Sequence, residues 1–294
     1  MNSRWMIAQG RTVLTAGAVL AVLLLAGGWL FSHPISVSAN QSVILLPAAM
    51  YHSVTDAGDS PAQYVISPSM LESDLQYLQA HGRETVTVRD LLAYVQDGAA
   101  LPEKPVLLTF DDGYYNNYKY AYPLLKQYGM RAVLSPVASL TERFSQTDEA
   151  EQEAWSYCTG RELREMADSG VFEMQNHSYD FHELKPRKGC LRMAGETAAA
   201  YRQCFLSDTR RAQDLFVSLG IEAPVCYTYP YGAVNAEAQA LTAVCGFSVT
   251  LSCEEGVTAL TRDTACLKGI RRNNRDGRWS SAQFWDALLA QTEG

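Results

Sequence analysis

The chain has 294 residues, of which 47% are hydrophobic and 19% charged, and its formal net charge is -8 at pH 7. This composition excludes a disordered chain and is typical of a globular protein with a sizeable core, in one large α/β domain or two small ones. The negative charge argues against a nucleic-acid partner, because phosphate binding needs a basic face. A neutral sugar remains compatible with it.

An uncharged apolar segment runs from Thr12 to Phe31 and is preceded by Arg4 and Arg11. Its length is enough to cross a bilayer as one helix, and the basic flank places the N-terminus in the cytoplasm. We therefore predict an uncleaved, single-pass anchor in the cell membrane. A cleaved signal peptide is the alternative, because Val37-Ser38-Ala39 resembles a cleavage site. In both cases the main domain is extracytoplasmic, and it is secreted if the segment is cleaved.

The predicted domain organisation has three parts. Residues 1–31 form the cytoplasmic tip and the membrane anchor, and residues 32–42 form a linker of Ser, Pro and Asn. Residues 43–294 form the main domain.

Apolar runs and amphipathic stretches alternate through the main domain, separated by Gly, Pro and N-cap residues. Strands alternating with helices predict a parallel sheet with crossover helices. About eight such units in roughly 250 residues match the size of a β/α barrel, with a doubly wound open sheet as the alternative. In chain order the predicted elements are strand Val43–Met50, helix Pro68–Ala80, strand Glu84–Val88, helix Val88–Gln96, strand Pro105–Phe110, helix Asn117–Tyr128, strand Arg131–Pro136, helix Gly160–Asp168, strand Val171–Gln175, helix Thr197–Leu219, strand Pro224–Tyr229, helix Ala236–Val244, strand Phe247–Ser252, strand Leu267–Arg272 and helix Ser281–Ala290.

The seven cysteines contain neither a C-x-x-C pair nor zinc-finger spacing. Outside the cytoplasm Cys253 and Cys266 could form a disulfide that closes a short loop, and the odd count leaves at least one thiol free. We interpret most of the cysteines as small buried hydrophobic residues.

Two adjacent carboxylates end the strand Pro105–Phe110, in the motif Thr109-Phe110-Asp111-Asp112-Gly113. Neighbouring aspartates repel each other unless a positive group lies beside them. A metal ion can take one carboxylate as a ligand and leave the other free as a base. A capped Asp-Gly turn is the alternative interpretation.

His177 and His182 are two of only five histidines in the chain. On one helix they would point roughly 140° apart, but where a strand runs into a turn they can converge. Neutral imidazoles are good zinc ligands, and an Asp-His-His set leaves a fourth position open for water. We therefore predict a site for a divalent metal, with zinc as the expected ion and cobalt or nickel as alternatives.

Three motifs in the observed order resemble those of the polysaccharide deacetylases, the NodB-type enzymes of carbohydrate esterase family 4. They are Thr-Phe-Asp-Asp-Gly, His177-Ser178 followed by His182, and Tyr229-Pro230-Tyr231-Gly232. The resemblance covers about residues 43–275, and Met50-Tyr51-His52 is most similar to the branch that deacetylates poly-N-acetylglucosamine. It implies a deformed (β/α) barrel of seven to eight strands, a polysaccharide substrate and a metal-dependent reaction.

The resemblance also implies roles for individual residues. Asp111 corresponds to the general base, and Tyr231 lies where the family uses a backbone N–H to hold the oxyanion. Tyr229 and Pro230 belong to the same loop, where aromatic faces could stack on sugar rings, with a simple turn as the alternative. The implied metal ligands are Asp112, His177 and His182.

Two features depart from the family pattern. Thr228 occupies the position of an arginine that pairs with the base aspartate, and no histidine follows His182 to serve as the late general acid. We predict that His52 supplies the proton, with a strand-anchoring hydrogen bond as its alternative role. We predict that Arg272 supplies the cation beside Asp111, with a solvated basic strand end as the alternative.

Two charged loops flank these motifs. The segment Thr141–Gly160 is acidic and is predicted to be a solvated insertion at the rim. A basic loop after the histidines is predicted to be solvated, with contact to an anionic polymer as the alternative. Its basic residues are Lys185, Arg187, Lys188 and Arg192.

The sequence therefore predicts a membrane-anchored, extracytoplasmic deacetylase that removes N-acetyl groups from poly-N-acetylglucosamine or peptidoglycan glycan. An O-acetyl polysaccharide esterase of the acetylxylan type is the near alternative. A catalytically inactive carbohydrate-binding protein is the alternative from another class. The complete set of acidic and histidine residues argues against inactivity, whereas the missing late histidine argues for it.

Overall fold

The computed structural model describes residues 43–57 and 61–292. The predicted tip and anchor (1–31) and the linker (32–42) lie outside the described residues. Among the helices that are described, none combines the length and apolar character needed to cross a bilayer. The domain boundary and the membrane anchor therefore stay predictions.

Short parallel strands carry the fold. The longest strand is also the one that ends in the two aspartates, and all eight of its residues are buried. The strands are β1 (Ile44–Leu46), β2 (Ala48–Tyr51), β3 (Ser53–Val54), β4 (Val65–Ile66), β5 (Glu84–Val86), β6 (Pro105–Asp112), β7 (Ala132–Pro136), β8 (Phe172–Met174), β9 (Cys226–Thr228), β10 (Val249–Leu251), β11 (Thr258–Leu260) and β12 (Asn273–Asn274).

Parallel contacts run around a closed circuit of seven strands. Strands β12, β2, β6, β7 and β8 pair in that order, and β9 pairs with β10. Two single bridges join these groups, one between Asn176 and Tyr227 and one between Leu251 and Ile270. The α/β fold with a parallel sheet is as predicted, and the circuit is consistent with a deformed barrel. The circuit also brings the carboxyl ends of these strands to one rim.

Helices connect successive strands, and their starts follow ordinary capping rules. The Thr159 side chain accepts the N–H of Glu162, whose carboxylate accepts the N–H of Thr159 in return. Two π-helical turns, Ala93–Asp97 and Asn117–Ala121, extend neighbouring helices. The α-helices are Pro68–Ala80, Val88–Leu92, Tyr122–Gln127, Ala138–Phe144, Gly160–Asp168, Ala198–Ser218, Ala236–Val244 and Ser281–Leu289.

Two predicted strands differ from the structure. The strand predicted over Val43–Met50 is two strands, because Pro47 lacks the N–H that would continue a ladder. The last strand predicted over Leu267–Arg272 is reduced to one parallel bridge at Ile270, and the strand that pairs with β2 is β12. Leu267 and Ile270 are apolar because they are buried in the core next to the sheet.

A buried ion pair attaches the first helix to β12. Both nitrogens of the Arg275 guanidinium that face Asp74 donate to its carboxylate, at 2.8 and 3.1 Å. The Tyr51 hydroxyl donates to the same carboxylate at 3.0 Å. Because both charged side chains are fully buried, this pair holds the segment that follows β12 in one position.

Candidate active site

The two aspartates of the first motif lie at the carboxyl end of β6. Asp112 has a left-handed backbone with a φ of 70°, and Gly113 follows it with a φ of 78°. A Cβ at Gly113 would lie 2.5 Å from the Pro136 Cβ, so only glycine fits this turn. The sharp turn directs the two neighbouring carboxylates to different partners.

Asp112, His177 and His182 converge as the sequence predicts. Asp112 Oδ1 lies 3.4 Å from His177 Nε2 and 3.0 Å from His182 Nε2. One ligand atom from each residue lies within 4.8 Å of the others. Burial would raise the pKa of Asp112, but the neighbouring His177 and His182 hold that pKa well below its usual range. The cluster therefore presents a carboxylate and two imidazoles to one point.

A backbone carbonyl beside His177 determines which ring nitrogen carries the hydrogen in the neutral imidazole. Its Nδ1 lies 2.8 Å from the Thr228 carbonyl oxygen, which can only accept, so in the neutral ring Nδ1 carries the hydrogen. Nε2 then presents a lone pair to the Asp112 carboxylate, which is also an acceptor. Two facing acceptors need a proton or a cation between them. A backbone carbonyl behind a metal-binding histidine is the usual arrangement in metal sites, so these residues fit a divalent ion.

His182 is held by its ring and by its loop. The Tyr231 ring stacks on it at a centroid distance of 4.7 Å, and the Tyr231 hydroxyl donates to the His182 carbonyl at 3.1 Å. The Asp208 carboxylate accepts the N–H groups of Tyr179 and Asp180 at 2.9 and 2.8 Å, which fixes the turn before His182. Sequence reasoning missed Asp208. Its signal is a lone acid on the buried face of the long helix Ala198–Ser218.

Arg272 forms a buried, two-pronged ion pair with Asp111. Its Nη1 and Nη2 donate to the two carboxylate oxygens at 2.7 and 2.9 Å. Its Nε donates to the Ser252 carbonyl at 2.9 Å, and its Nη1 also lies 3.1 Å from the Thr109 hydroxyl. Burial would raise the pKa of Asp111, but the guanidinium outweighs this and holds the pKa below its usual range. Asp111 is therefore a carboxylate at neutral pH.

The departure at Thr228 has a structural counterpart. Its hydroxyl lies 2.7 Å from the Ser135 hydroxyl, and the side chain is fully buried in the barrel. Arg272 reaches Asp111 from the segment before β12 instead. The cation beside the aspartate thus comes from another part of the circuit. The alternative of a solvated basic strand end is wrong, because the Arg272 side chain is 0% exposed.

His52 lines the same cavity as the three candidate ligands and Asp111. The volume of this cavity is about 620 Å³. The buried Nδ1 of His52 has no hydrogen-bond partner within the described part of the chain. The ring packs edge-on against Tyr64 at 4.8 Å, and burial lowers the pKa of His52. The contact that anchors this strand end uses the His52 backbone carbonyl, which accepts from the Asn117 amide at 2.7 Å.

The third motif contributes one side chain to the cavity. Tyr231 is 42% exposed and lines the cavity, with a left-handed φ of 58°. Tyr229 is only 1% exposed, and its hydroxyl pairs with Thr242 at 3.1 Å. Pro230 is also buried. The prediction that Tyr229 and Pro230 offer faces to a sugar is therefore wrong, because both pack into the interior.

Charged residues of the acidic segment and of the basic loop make contacts with the rest of the domain that the sequence does not predict. Glu153 of the acidic segment accepts from Lys119 at 2.5 Å and from the Thr55 hydroxyl at 2.8 Å. In the basic loop Arg187 is buried and pairs with Glu196 at 2.7 Å. The interpretation of both loops as merely solvated is wrong for these residues.

The predicted disulfide is also absent. All seven cysteines fall within described parts of the chain, and each is a free thiol. Cys253 and Cys266 are therefore unpaired. Cys158, Cys190 and Cys226 are buried, as expected for small hydrophobic residues.

Two curated proteins are similar to this chain. The chain is 27% identical over 227 residues to YxkH of Bacillus subtilis, named as a candidate polysaccharide deacetylase, over 77% of this chain and 71% of that protein. It is 27% identical over 195 residues to the poly-β-1,6-N-acetyl-D-glucosamine N-deacetylase of Staphylococcus aureus, over 65% of this chain and 62% of the relative. The chain thus spans less than two thirds of the staphylococcal protein.

A solved structure supports the fold. The de-N-acetylase of Aggregatibacter actinomycetemcomitans superposes with a TM-score of 0.69 at 23% identity, over 83% of this chain and all of that one. The family model of polysaccharide deacetylases matches residues 98–250, which is more than half of the chain and contains all three motifs. The chain therefore belongs to the polysaccharide deacetylase family and is a hydrolase that acts on carbon–nitrogen bonds in polysaccharide.

Proposed function

We propose that this chain is a metal-dependent N-deacetylase of N-acetylglucosamine polysaccharide that releases acetate. The observation that carries the proposal is the convergence of Asp112, His177 and His182 beside the buried pair of Asp111 and Arg272. The name of the staphylococcal relative supports a poly-β-1,6-linked substrate. Peptidoglycan glycan carries the same N-acetyl group and is the second polymer to be tested.

Asp112, His177 and His182 would hold the metal, and zinc suits this donor set best. Two imidazoles and one carboxylate with an open position form a common catalytic zinc set. Nε2 of His177 supports this assignment, because in the neutral ring it presents a lone pair to a carboxylate oxygen of Asp112. A bound divalent ion supplies Lewis acidity, which makes water a better nucleophile and polarises a carbonyl group.

Asp111 is the proposed general base. It lines the cavity, and its low pKa keeps it ionised, so it can accept the proton of the attacking water. Arg272 donates to both oxygens of the Asp111 carboxylate and so holds that carboxylate in one orientation. Arg272 is therefore proposed as a positioning residue that acts through Asp111.

His52 is the proposed general acid that protonates the leaving amine. A buried nitrogen without a partner costs about 1–3 kcal/mol, so His52 Nδ1 is best explained by a partner that arrives with the substrate. The alternative role, anchoring of the strand end, does not require a histidine side chain, because the backbone carbonyl of His52 makes that contact. The Tyr231 backbone N–H is proposed to stabilise the oxyanion, and its exposed ring to contact the sugar.

We also propose that the enzyme acts outside the cytoplasm, held at the membrane by residues 12–31. Support comes from the uncharged apolar segment with its basic flank. Fractionation of cells that express the full chain tests this proposal. Recovery of the protein in the cytoplasmic fraction would contradict it.

Acetate release by the full-length protein tests the activity. The substrates are β-1,6-linked N-acetylglucosamine oligomers, peptidoglycan and acetylxylan, each with zinc and after chelation. We expect zinc-dependent release from the first two. Release from acetylxylan alone would support the esterase alternative. Binding of oligomers without release under any metal would support the inactive carbohydrate-binding protein.

A further inference from the structure

A second cavity adjoins the catalytic one. Its volume is about 360 Å³, and it shares Gln63, Glu255 and Asn274 with the catalytic cavity. Since the same three residues line both, the two cavities meet at this point. Trp279 lines the second cavity and is 48% exposed. The result is a groove that leads from the candidate metal site to an indole ring.

The loop that carries Trp279 is held in place before any ligand arrives. The buried Arg275 donates to the Trp279 carbonyl at 2.9 Å. The Gly277 N–H donates to the Ala62 carbonyl at 2.9 Å. A Cβ at Gly277 would lie 2.1 Å from the Val65 carbonyl oxygen, so the approach requires glycine. Binding to Trp279 therefore costs little ordering of its loop.

The junction of the two cavities offers hydrogen-bond acceptors. Asn274 Nδ2 donates to the Gln63 carbonyl at 2.7 Å, which fixes the orientation of the amide, because the reverse would face oxygen with oxygen. The buried Asn274 Oδ1 has no partner within the described chain. Glu255 is exposed at the same junction, and its backbone carbonyl accepts from Arg271 at 3.0 Å. The turn is thus fixed, and Glu255 lines both cavities as an exposed residue.

The charge at the junction is negative. Arg278 in the second cavity is already paired with Asp276, at N–O distances of 2.8 and 3.1 Å. Lys188 lines the catalytic cavity and is not among the residues that line the second. Arg271 pairs with Glu254, and Arg278 pairs with Asp276. Among the described residues at the junction, Glu255 therefore carries a charge that no ion pair neutralises.

These groups suit a deacetylated sugar better than an acetylated one. A carboxylate and an orphaned amide oxygen only accept, and an ammonium group brings three donors and a positive charge. An N-acetyl group would bring one donor and a carbonyl that faces these acceptors. An aromatic face beside them can pack on the apolar face of a sugar ring.

We propose that Glu255, Asn274 and Trp279 form a second sugar subsite that binds a glucosamine unit of the same polymer. The neighbouring N-acetylglucosamine unit then lies in the catalytic cavity. This inference rests on the proposed function. Its consequence is that a chain that has lost one acetyl group becomes a better substrate than a fully acetylated chain.

Two β-1,6-linked hexasaccharides test the subsite, one fully acetylated and one with a single internal glucosamine. The full-length zinc-loaded enzyme should prefer the second by roughly three- to fivefold in kcat/KM at low salt. This preference should shrink as salt is added, since the junction is partly exposed. Glu255→Gln should abolish the preference. Glu254→Gln, a change of the adjacent glutamate that pairs with Arg271, should keep it.

Trp279→Ala should lower kcat/KM for both hexasaccharides by roughly three- to tenfold. Trp155→Ala is the matched control, because Trp155 is 47% exposed and is not among the residues lining either cavity. Absence of a preference in the wild type, its persistence in Glu255→Gln, or equal effects of the two tryptophan variants would overturn the proposal.

The two proposals fail in different ways. If the wild type releases no acetate from either sugar, the proposed function fails. Calorimetric binding of both hexasaccharides to wild type and Glu255→Gln then tests the subsite alone. A tighter Kd of the wild type for the partly deacetylated sugar, lost in Glu255→Gln, supports it. Equal affinities overturn it.

Discussion

Replacement of Arg272 with methionine should destabilise the protein because it leaves the Asp111 carboxylate buried without a cation. The two side chains are 0% and 3% exposed, and two hydrogen bonds of 2.7 and 2.9 Å join them. Removing one partner of such a pair costs about 3–5 kcal/mol of unfolding free energy. At roughly 2–4 °C per kcal/mol for a domain of this size, the melting temperature should fall by about 6–20 °C.

This loss should depend on pH. In the wild type the pKa of Asp111 is below its ordinary value of 3.8, so the contribution of Asp111 is present above pH 3.8 and is lost as the pH falls through the folded-state pKa. In Arg272→Met the guanidinium no longer opposes burial, which raises the pKa of Asp111, and only the weaker effects of His177 and His52 still lower it. Asp111 should therefore bind a proton more readily in the folded variant than in the wild type. The difference in unfolding free energy should therefore be largest near neutral pH and shrink under acidic conditions.

Urea unfolding of a double-mutant cycle measures the effect. Asp111→Asn should restore most of the stability that Arg272→Met loses, because an amide carries no charge to leave unpaired. Arg275→Met breaks the other buried ion pair, with Asp74, and is the matched control that Asp111→Asn should not rescue. A loss below about 1 kcal/mol for Arg272→Met, or no coupling between the two sites, would refute the reasoning.

The remaining predictions concern the cavity. His52→Gln should lower kcat by about 10²–10⁴-fold with zinc content unchanged, and full turnover would rule out its role as general acid. Asp112→Asn and His182→Gln should lower the zinc content measured by atomic absorption, whereas His81→Gln, at an exposed histidine outside the cavity, should keep it. In chelated protein, burial lowers the pKa of His182, but Asp112 raises it by more, so the folded-state pKa lies above 6.5. The stabilisation of the fold by protonated His182 is therefore fully present below pH 6.5 and is lost as the pH rises through the raised pKa. Zinc-loaded protein should instead gain stability as pH rises, because zinc competes with protons for its ligands. Thermal melts from pH 5 to 9 compare the two forms, and parallel profiles would contradict the assignment of His182 as a ligand.

Local sequence patterns predict most of the fold. Helices such as Gly160–Asp168 and Ala236–Val244 have the predicted bounds, because caps and stop residues are local signals. The convergence of Asp112, His177 and His182 follows from strand ends that meet at one rim. These features need no knowledge of distant contacts.

The failures involve contacts between distant parts of the chain. β12 consists of two asparagines, whose sequence is typical of a turn, and Asn273 is held by donating to the Ala48 carbonyl at 3.2 Å. Tyr229 looks like a cavity residue by its motif, but the neighbouring helix buries it. Asp208 stabilises a loop 28 residues away, a separation that no periodic pattern reveals.

Single bridges rather than ladders close the strand circuit at two places, and a site residue spans each of them. Where β8 meets β9, His177 binds the Thr228 carbonyl, and where β10 meets the segment before β12, Arg272 binds the Ser252 carbonyl. His177 is also a candidate metal ligand, and Arg272 is the proposed positioning residue of Asp111. If the proposed roles hold, the same two side chains serve both the reaction and the closure of the strand circuit. Selection for a working site would therefore also select for a closed barrel, and amide hydrogen exchange near these joints should report on both together.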